Sequence, residues 1–176
     1  MLQKGCMAKK IVDFKECQQE AVNAFDVRRV LLVSQGNNNI PNVMAIGWGS
    51  LGIIWKKPVF TVLVRPSRYT YSLIEESGEF TVNIVQPGSE EIVKYCGTVS
   101  GRDVNKFEAK HLTTMASSQI QTPIIEEAIL HFECKVIYKN DLVPAELAKP
   151  IRQETYGGSS DFHRIYFGEV VACQRD

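Results

Sequence analysis

The sequence predicts a mainly β fold, an antiparallel barrel carrying a few short helices. Three observations carry that expectation. About seven segments of strand length recur along the chain. Several alternate apolar and polar residues, or are apolar on both faces, as half-buried and fully buried strands are. Turn-forming clusters such as Gly36-Asn37-Asn38-Asn39 and Pro87-Gly88 separate them. Closing such strands into a barrel leaves no open edge.

Taken in order, Lys10 to Phe14 reads as a short strand. Glu16 to Phe25 reads as a helix with Ala21, Val22 and Phe25 on its apolar side. Arg29 to Ser34 is an apolar strand, and Asn42 to Ser50 resumes as one strand after the Gly-Asn turn. Gly47 and Gly49 weaken that strand but admit a flat ligand or another backbone. Leu51 to Trp55 leads into Pro58–Val64, apolar on both faces and therefore central. Pro66 stops its ladder. Ser67 is the expected N-cap of a helix bearing Leu73, Ile74 and Ser77, and Gly78 suits the left-handed residue that ends it. Glu79 to Ile84 alternates again.

Ser89 is expected to cap a helix with Glu90 and Glu91 in its first turn and Ile92, Val93 and Cys96 on its apolar face. The polar stretch from Gly97 to Phe107 follows, with Asp103 as the expected cap of a short helix holding Lys106 and Phe107. Ala128 to Tyr138 is a long strand whose core face is Leu130, Phe132, Cys134, Val136 and Tyr138. Leu142 to Tyr156, with Pro144 and Pro150, reads as irregular, and Gly157 to Asp161 as a flexible loop. Phe162 to Cys173 closes the chain as a strand with Gly168 inside it.

Bulk properties narrow the function. The 176 residues suit one domain, with residues 1–8 as a loose N-terminal extension. Twenty basic and twenty acidic residues cancel, which argues against nucleic acid and anionic membranes as partners. No apolar run approaches a membrane span, and the first ten residues lack the apolar core of a signal peptide. The five cysteines form no C-x-x-C pair and are odd in number, so neither a zinc site nor a disulfide framework is expected. Cys134 and Cys173 read as small core residues, and a reducing cytoplasmic setting is the default.

The chemistry concentrates in Arg65-Pro66-Ser67-Arg68-Tyr69-Thr70. Two guanidiniums and several hydroxyls meet a helix N-terminus, whose free N–H groups and dipole favour an anion. That combination suits the phosphate monoester of a small ligand. A solvated basic turn beside an ordinary helix is the plainer alternative. No metal-ligand cluster, no Ser-His-Asp or Cys-His arrangement and no G-x-G-x-x-G after a strand is present. His111 and His131 are assigned no role, and Trp55 reads as core or interface.

With these residues in view, the chain resembles the flavin reductase-like, FMN-binding split-barrel family, and within it the flavoredoxin type. The likeness runs from about Asn42 to Cys173. It is carried by Asn42-Val43-Met44-Ala45 through Trp48, by Pro58 through Arg65, and by Ser67-Arg68-Tyr69-Thr70. Glu79 through Asn83, Ser100-Gly101-Arg102-Asp103 with Lys106-Phe107, and His163 through Val170 follow in the family order. The resemblance implies a split antiparallel β-barrel of Greek-key type, a homodimer, and FMN held near the subunit interface. It implies that Arg65, Ser67, Arg68, Tyr69 and Thr70 surround the phosphate and ribityl chain. It places Asn42, Met44, Ala45, Trp48 and Ser50 along the flavin ring, and Ser100, Arg102 and Lys106 at the phosphate end. Asn83 and His163 are further candidate contacts. Many members carry Thr where this chain has Ala45, so a hydroxyl near the ring is missing.

The function implied is an FMN-dependent oxidoreductase, with no catalytic side chain required because the cofactor carries the chemistry. Electrons from NAD(P)H or another reduced donor pass to a flavin, a metal chelate or a protein. A non-enzymatic FMN electron carrier and a flavin-binding module are the alternatives. The sequence does not place the segment from Leu142 to Asp161, a candidate gate of the cleft.

Overall fold

A computed structural model of the chain describes residues 9–176, so the expected loose extension over residues 1–8 lies outside the described residues. Strand β1 (Lys10–Ile11) leads into helix α1 (Phe14–Asp26), which starts where the Asp13 carboxylate accepts from Lys15 N–H at 2.9 Å. The buried face of α1 is Cys17, Ala21 and Ala24, spaced four and three apart. The expected Val22 lies instead on the exposed side, and Phe25 packs its ring 6.2 Å from Phe60. Strands β2 (Val30–Gln35) and β3 (Pro41–Ala45) form a hairpin across the Asn-rich turn, where Asn39 takes φ 59°.

The largest departure follows. Asn42 to Ser50 is not one strand. β3 ends at Ala45, and β4 (Gly49–Ile54) begins after Ile46, Gly47 and Trp48 cross between two places in the sheet. Strand β3 pairs with β2, whereas β4 pairs with β5 (Lys57–Val64). Period-2 alternation continues through the crossing, so sequence alone does not reveal that the pairing partner changes. Trp55 and Lys56 make the two-residue turn between β4 and β5, both with positive φ, 51° and 62°.

Helix α2 (Tyr69–Ser77) is capped by Arg68 and ends at Gly78 with φ 68°. Ser67 does not cap it, because its hydroxyl is held by Asp161. Strand β6 (Glu79–Val85) is buried on both faces beyond its first residue. Helix α3 (Glu90–Thr98) buries Val93 and Cys96. Asn105 rather than Asp103 caps α4 (Lys106–Ala109), its side-chain oxygen accepting from Phe107 and Glu108 N–H. Asn fits because its short amide folds back on the first turn without adding charge.

The small ladder β7 (Thr114–Met115) with β8 (Ile124–Ile125) covers the outer face of β9 (Ala128–Asp141). His131 and Glu133 are therefore fully buried, and the expected one-sided strand is covered on both sides through Cys134. Beyond Cys134 the expected core face continues only to Val136, which is partly buried against the core, and Tyr138 is exposed beside Trp55. A helical turn at Pro144–Glu146 and helix α5 (Lys149–Tyr156) replace the expected irregular segment. Pro150 sits in the first turn of α5, where proline's missing N–H costs no hydrogen bond.

Strand β10 (Arg164–Arg175) completes the sheet, whose order is β3-β2-β6-β9-β10-β5-β4, with β1 paired to β10. All pairings are antiparallel. Phe60, Phe80, Phe132 and Tyr166 fill the interior. Gly168 is needed there, since a Cβ would lie 2.5 Å from Phe80 Cζ. A second core between the sheet and α3–α4 contains Leu31, Val33, Val43, Val93 and Phe107. The two ends of the sheet, β3 and β4, form no ladder with each other. Only the crossing from Ile46 to Trp48 joins them, and the split this leaves positions the site.

Candidate functional site

The split opens into a cleft of about 850 Å³, within the ordinary range for a small-molecule or cofactor site. Its first wall is the start of α2. Arg68 is the cap residue but makes no side-chain capping bond, so the helix N-terminus keeps free N–H groups and an exposed guanidinium. The Arg102 guanidinium donates to the Ser67 carbonyl at 3.0 Å and stacks 5.4 Å from the Tyr69 ring centre. Both contacts leave part of its fork of donors directed elsewhere.

The second wall is β3. Asn42 is buried, and its amide donates to Thr70 Oγ1 at 2.8 Å, fixing β3 to the first turn of α2. Gly101 closes over this pair. A Cβ there would sit 1.9 Å from Asn42 Oδ1, so a side chain is excluded. Met44, Ala45, Ile46, Gly47 and Trp48 continue along the cleft. Gly97 approaches so closely that its Cβ position is 3.3 Å from the Ala45 methyl.

The floor holds Lys106, only 5% exposed, whose ammonium donates to the Cys96 carbonyl at 2.9 Å. Burial pulls its pKa below the usual lysine range, and Arg68 adds to that direction. At the far rim Trp48 is half exposed and meets His163 edge-on at 5.2 Å between ring centres. His163 is buried, and its Nδ1 lies 2.7 Å from the Tyr156 hydroxyl. Its pKa falls to about 4, because burial and the neighbouring Arg65 disfavour the imidazolium more than Asp161 supports it. The ring is neutral near pH 7. Arg65 lies over the Tyr156 ring at 5.3 Å and donates to the Thr155 carbonyl, not to an acid.

Of the residues singled out in the sequence, Asn42, Met44, Ala45, Trp48, Arg65, Ser67, Arg68, Tyr69, Thr70, Ser100, Arg102, Lys106 and His163 all line this one cleft. Two do not. Asn83 is fully buried in β6, where its carbonyl accepts from Ile125 N–H and meets His131 Nδ1 at 2.9 Å. It is corrected to a structural residue, since alternation turns it to the face covered by β8. Ser50 is exposed on β4 outside the lining, a consequence of the break after Ala45. Phe25, Arg28, Leu63, Cys96, Gly97 and Gly101 line the cleft without having been singled out. Only long-range packing brings Phe25 and Arg28, at the end of α1, to it.

The electrostatics are one-sided. Arg28, Arg65, Arg68, Arg102 and Lys106 line the cleft, no carboxylate does, and none of the five forms a salt bridge among the described residues. In a chain of zero net charge, such a concentration of cations marks an anion site. Cations and a helix N-terminus at one end, with an amphipathic strip bearing a tryptophan beyond, suit a phosphorylated ligand with a flat ring. An FMN-like group fits this donor set.

The expected barrel is not closed: the antiparallel sheet stays open between β3 and β4, its end strands joined by one crossing segment, and a cation-lined cleft at that split defines the split-barrel class. The chain belongs to the flavin reductase like domain family, whose sequence model matches residues 27–176. An uncharacterized protein from Archaeoglobus fulgidus is 34% identical over 124 residues, 68% of each chain. Among solved structures, flavoredoxin from Methanosarcina acetivorans superposes with a TM-score of 0.64 at 28% identity, covering 84% of this chain and 67% of that one. An FMN-binding domain of a flavin reductases-like enzyme from Shewanella baltica gives a TM-score of 0.67 at 20% identity, covering 96% and 78%. The chain spans about two thirds of the length of the curated relatives it matches. The family and the flavoredoxin likeness support a flavin-related redox function.

Proposed function

We propose that the cleft binds FMN and that the protein is a flavin-dependent oxidoreductase. The observation that carries this reading is the group of five cations lining the cleft, none in a salt bridge among the described residues and with no carboxylate in the lining. In this reading Arg68, Arg102 and the α2 N-terminus hold the phosphate. Asn42 and Thr70, bonded to each other, keep that wall rigid. The backbone from Met44 to Trp48 lies along the ring, and buried Lys106 contributes charge from below. The bound group supplies two-electron redox chemistry. FMN is favoured over FAD because Arg68, Arg102 and the α2 N-terminus make one phosphate site.

A reduced nicotinamide, in this reading, stacks directly over the ring in the open cleft. A second copy of the chain covers the half-exposed Trp48 and the adjacent Ser50, giving a homodimer. The buried free thiols Cys17, Cys96, Cys134 and Cys173 are in keeping with a reducing cytoplasmic setting.

A second reading is favoured by the likeness to flavoredoxin: an FMN electron carrier charged and discharged by protein partners. FMN uptake, followed by anaerobic NADH addition, tests both. A yellow protein that bleaches rapidly with NADH supports the reductase. Bleaching only by a reduced protein partner supports the carrier. A preparation that takes up no FMN overturns both.

A further inference from the structure

Arg28 occupies a position where the backbone argues against arginine. Helix α1 ends in a motif with two characteristic bonds: Arg29 N–H donates to Ala24 C=O at 2.9 Å and Arg28 N–H to Phe25 C=O at 3.1 Å. The residue between the helix cap Val27 and Arg29 must then take a left-handed conformation, and Arg28 does so with φ 53°. Glycine is the residue of choice there, because any Cβ is strained. The Arg28 backbone is thus bonded in a way that needs no side chain. Its side chain is in no salt bridge among the described residues, and the residue, although exposed, is one of those lining the cleft. Strain retained at an exposed residue that lines a cleft points to function.

Its place in the cleft is defined by the β2–β3 ladder. Asn42, opposite Ser34, is bonded to Thr70 at the α2 N-terminus. Ile46 N–H donates to the Val30 carbonyl at 3.1 Å, two residues beyond Arg28. Four residues of strand separate Asn42 from Ile46, roughly 13 Å at the usual rise. Arg28 therefore stands at the opposite end of the cleft from Arg68, Arg102 and the α2 N-terminus. Beside it, the N–H groups of Gly47 and Trp48 make no backbone hydrogen bond. That end presents donors and positive charge, and no acidic residue is part of its lining. One phosphate monoester cannot occupy both ends. If the phosphate lies against α2, the second cationic end faces the ring. Ala45 lacks the hydroxyl donor that the family likeness leads one to expect, and Arg28 is a lining cation at this end.

We propose that Arg28 is the residue that sets the preference of the cleft for reduced over oxidised flavin, its charge meeting the electron-rich edge of the reduced ring. This inference rests on the FMN reading of the cleft. Its test is an Arg28→Gly variant beside Arg28→Lys and the unaltered protein. Thermal unfolding without ligand is measured first, then affinity for oxidised FMN and the midpoint potential of the bound flavin. Arg28→Gly is expected to melt at the same or a higher temperature, because strain is relieved. It is expected to favour reduced FMN about tenfold less, which is about 30 mV lower in potential for a two-electron couple. Arg28→Lys keeps most of the potential.

A lower melting temperature for Arg28→Gly, or an unchanged potential in it, overturns the inference while leaving the FMN reading intact. Failure of the unaltered protein to bind FMN overturns the FMN reading itself, and the inference with it.

Discussion

The Tyr156 hydroxyl lies 2.7 Å from Nδ1 of His163, tying helix α5 to the first residues of β10 at the rim of the cleft. The neutral imidazole and the hydroxyl share one hydrogen in this bond, the donor being set by the tautomer, and Nε2 has no protein partner among the described residues. The segment between β9 and β10, expected to be irregular, is thereby anchored through Tyr156 to a residue of the cleft wall.

The same relationship predicts a pH dependence. His163 has a folded-state pKa of about 4, below its ordinary 6.5, so the unfolded chain binds the proton more readily. Its stabilising contribution is full above pH 6.5 and is lost as pH falls toward 4. The loss is about 3 kcal/mol, an order-of-magnitude figure. His131, lowered to about 3 chiefly by burial, adds to the same trend and extends it downward. Melting temperature measured from pH 7.5 to 4 will fall, and a His163→Gln variant will show a shallower slope over that window. An identical slope in the variant would remove His163 from this account.

Arg68 is exposed and makes no structural hydrogen bond through its side chain, so Arg68→Ala will leave the melting temperature of the ligand-free protein nearly unchanged. FMN affinity will drop roughly ten- to a hundred-fold, the range for one charge-assisted bond. Lys106→Ala will behave differently. It removes a buried side chain that donates to the Cys96 carbonyl, so the fold will lose roughly 2 kcal/mol and FMN affinity will fall less than with Arg68→Ala. Calorimetric titration with FMN and thermal unfolding separate the two.

Gly101→Ala will force its methyl against Asn42 Oδ1, 1.9 Å from the Cβ position. The Asn42–Thr70 bond is the contact displaced, and destabilisation of roughly 1–3 kcal/mol is expected, with weaker FMN binding. Pairing it with Asn42→Ala relieves the clash, so the double variant will be more stable than the sum of the two single losses. Strict additivity would show that the two sites do not touch.

Glu133 offers a control remote from the cleft. Its buried carboxylate accepts from Ser118 N–H at 2.7 Å, Ser118 Oγ at 3.0 Å and Gln119 N–H at 2.7 Å, and also from the Gln174 amide. Glu133→Gln turns one acceptor into a donor facing other donors, which costs roughly 2–3 kcal/mol. Chemical denaturation will register that loss, while FMN affinity at 25 °C will match the unaltered protein.

The residues that were legible in sequence are those whose role is local. The Gly78 helix end, the Asn-rich turn and the core face of β6 (Phe80, Val82 and Ile84) each follow from the chemistry of a few adjacent residues, and the structure has them as expected, although the other face of β6 is buried too. The misplacements share a cause. Ser67 as a cap, Asp103 as a cap and Val22 as a core residue were each plausible from neighbours alone. Ser67 was taken by Asp161, ninety-four positions away.

By itself, then, the chain's sequence determined its mainly β class, the strand-turn-helix corner around Arg68 and the family likeness that joins that corner to Trp48. Tertiary structure alone decided that Asn42 to Ser50 breaks in two, that His131 and Glu133 lie under a second layer, and that Arg28 reaches the cleft. The physical reason is the range of the forces involved. Turn geometry and side-chain period are set within a few residues, whereas the partner of a strand and the covering of its outer face depend on pairings between distant segments.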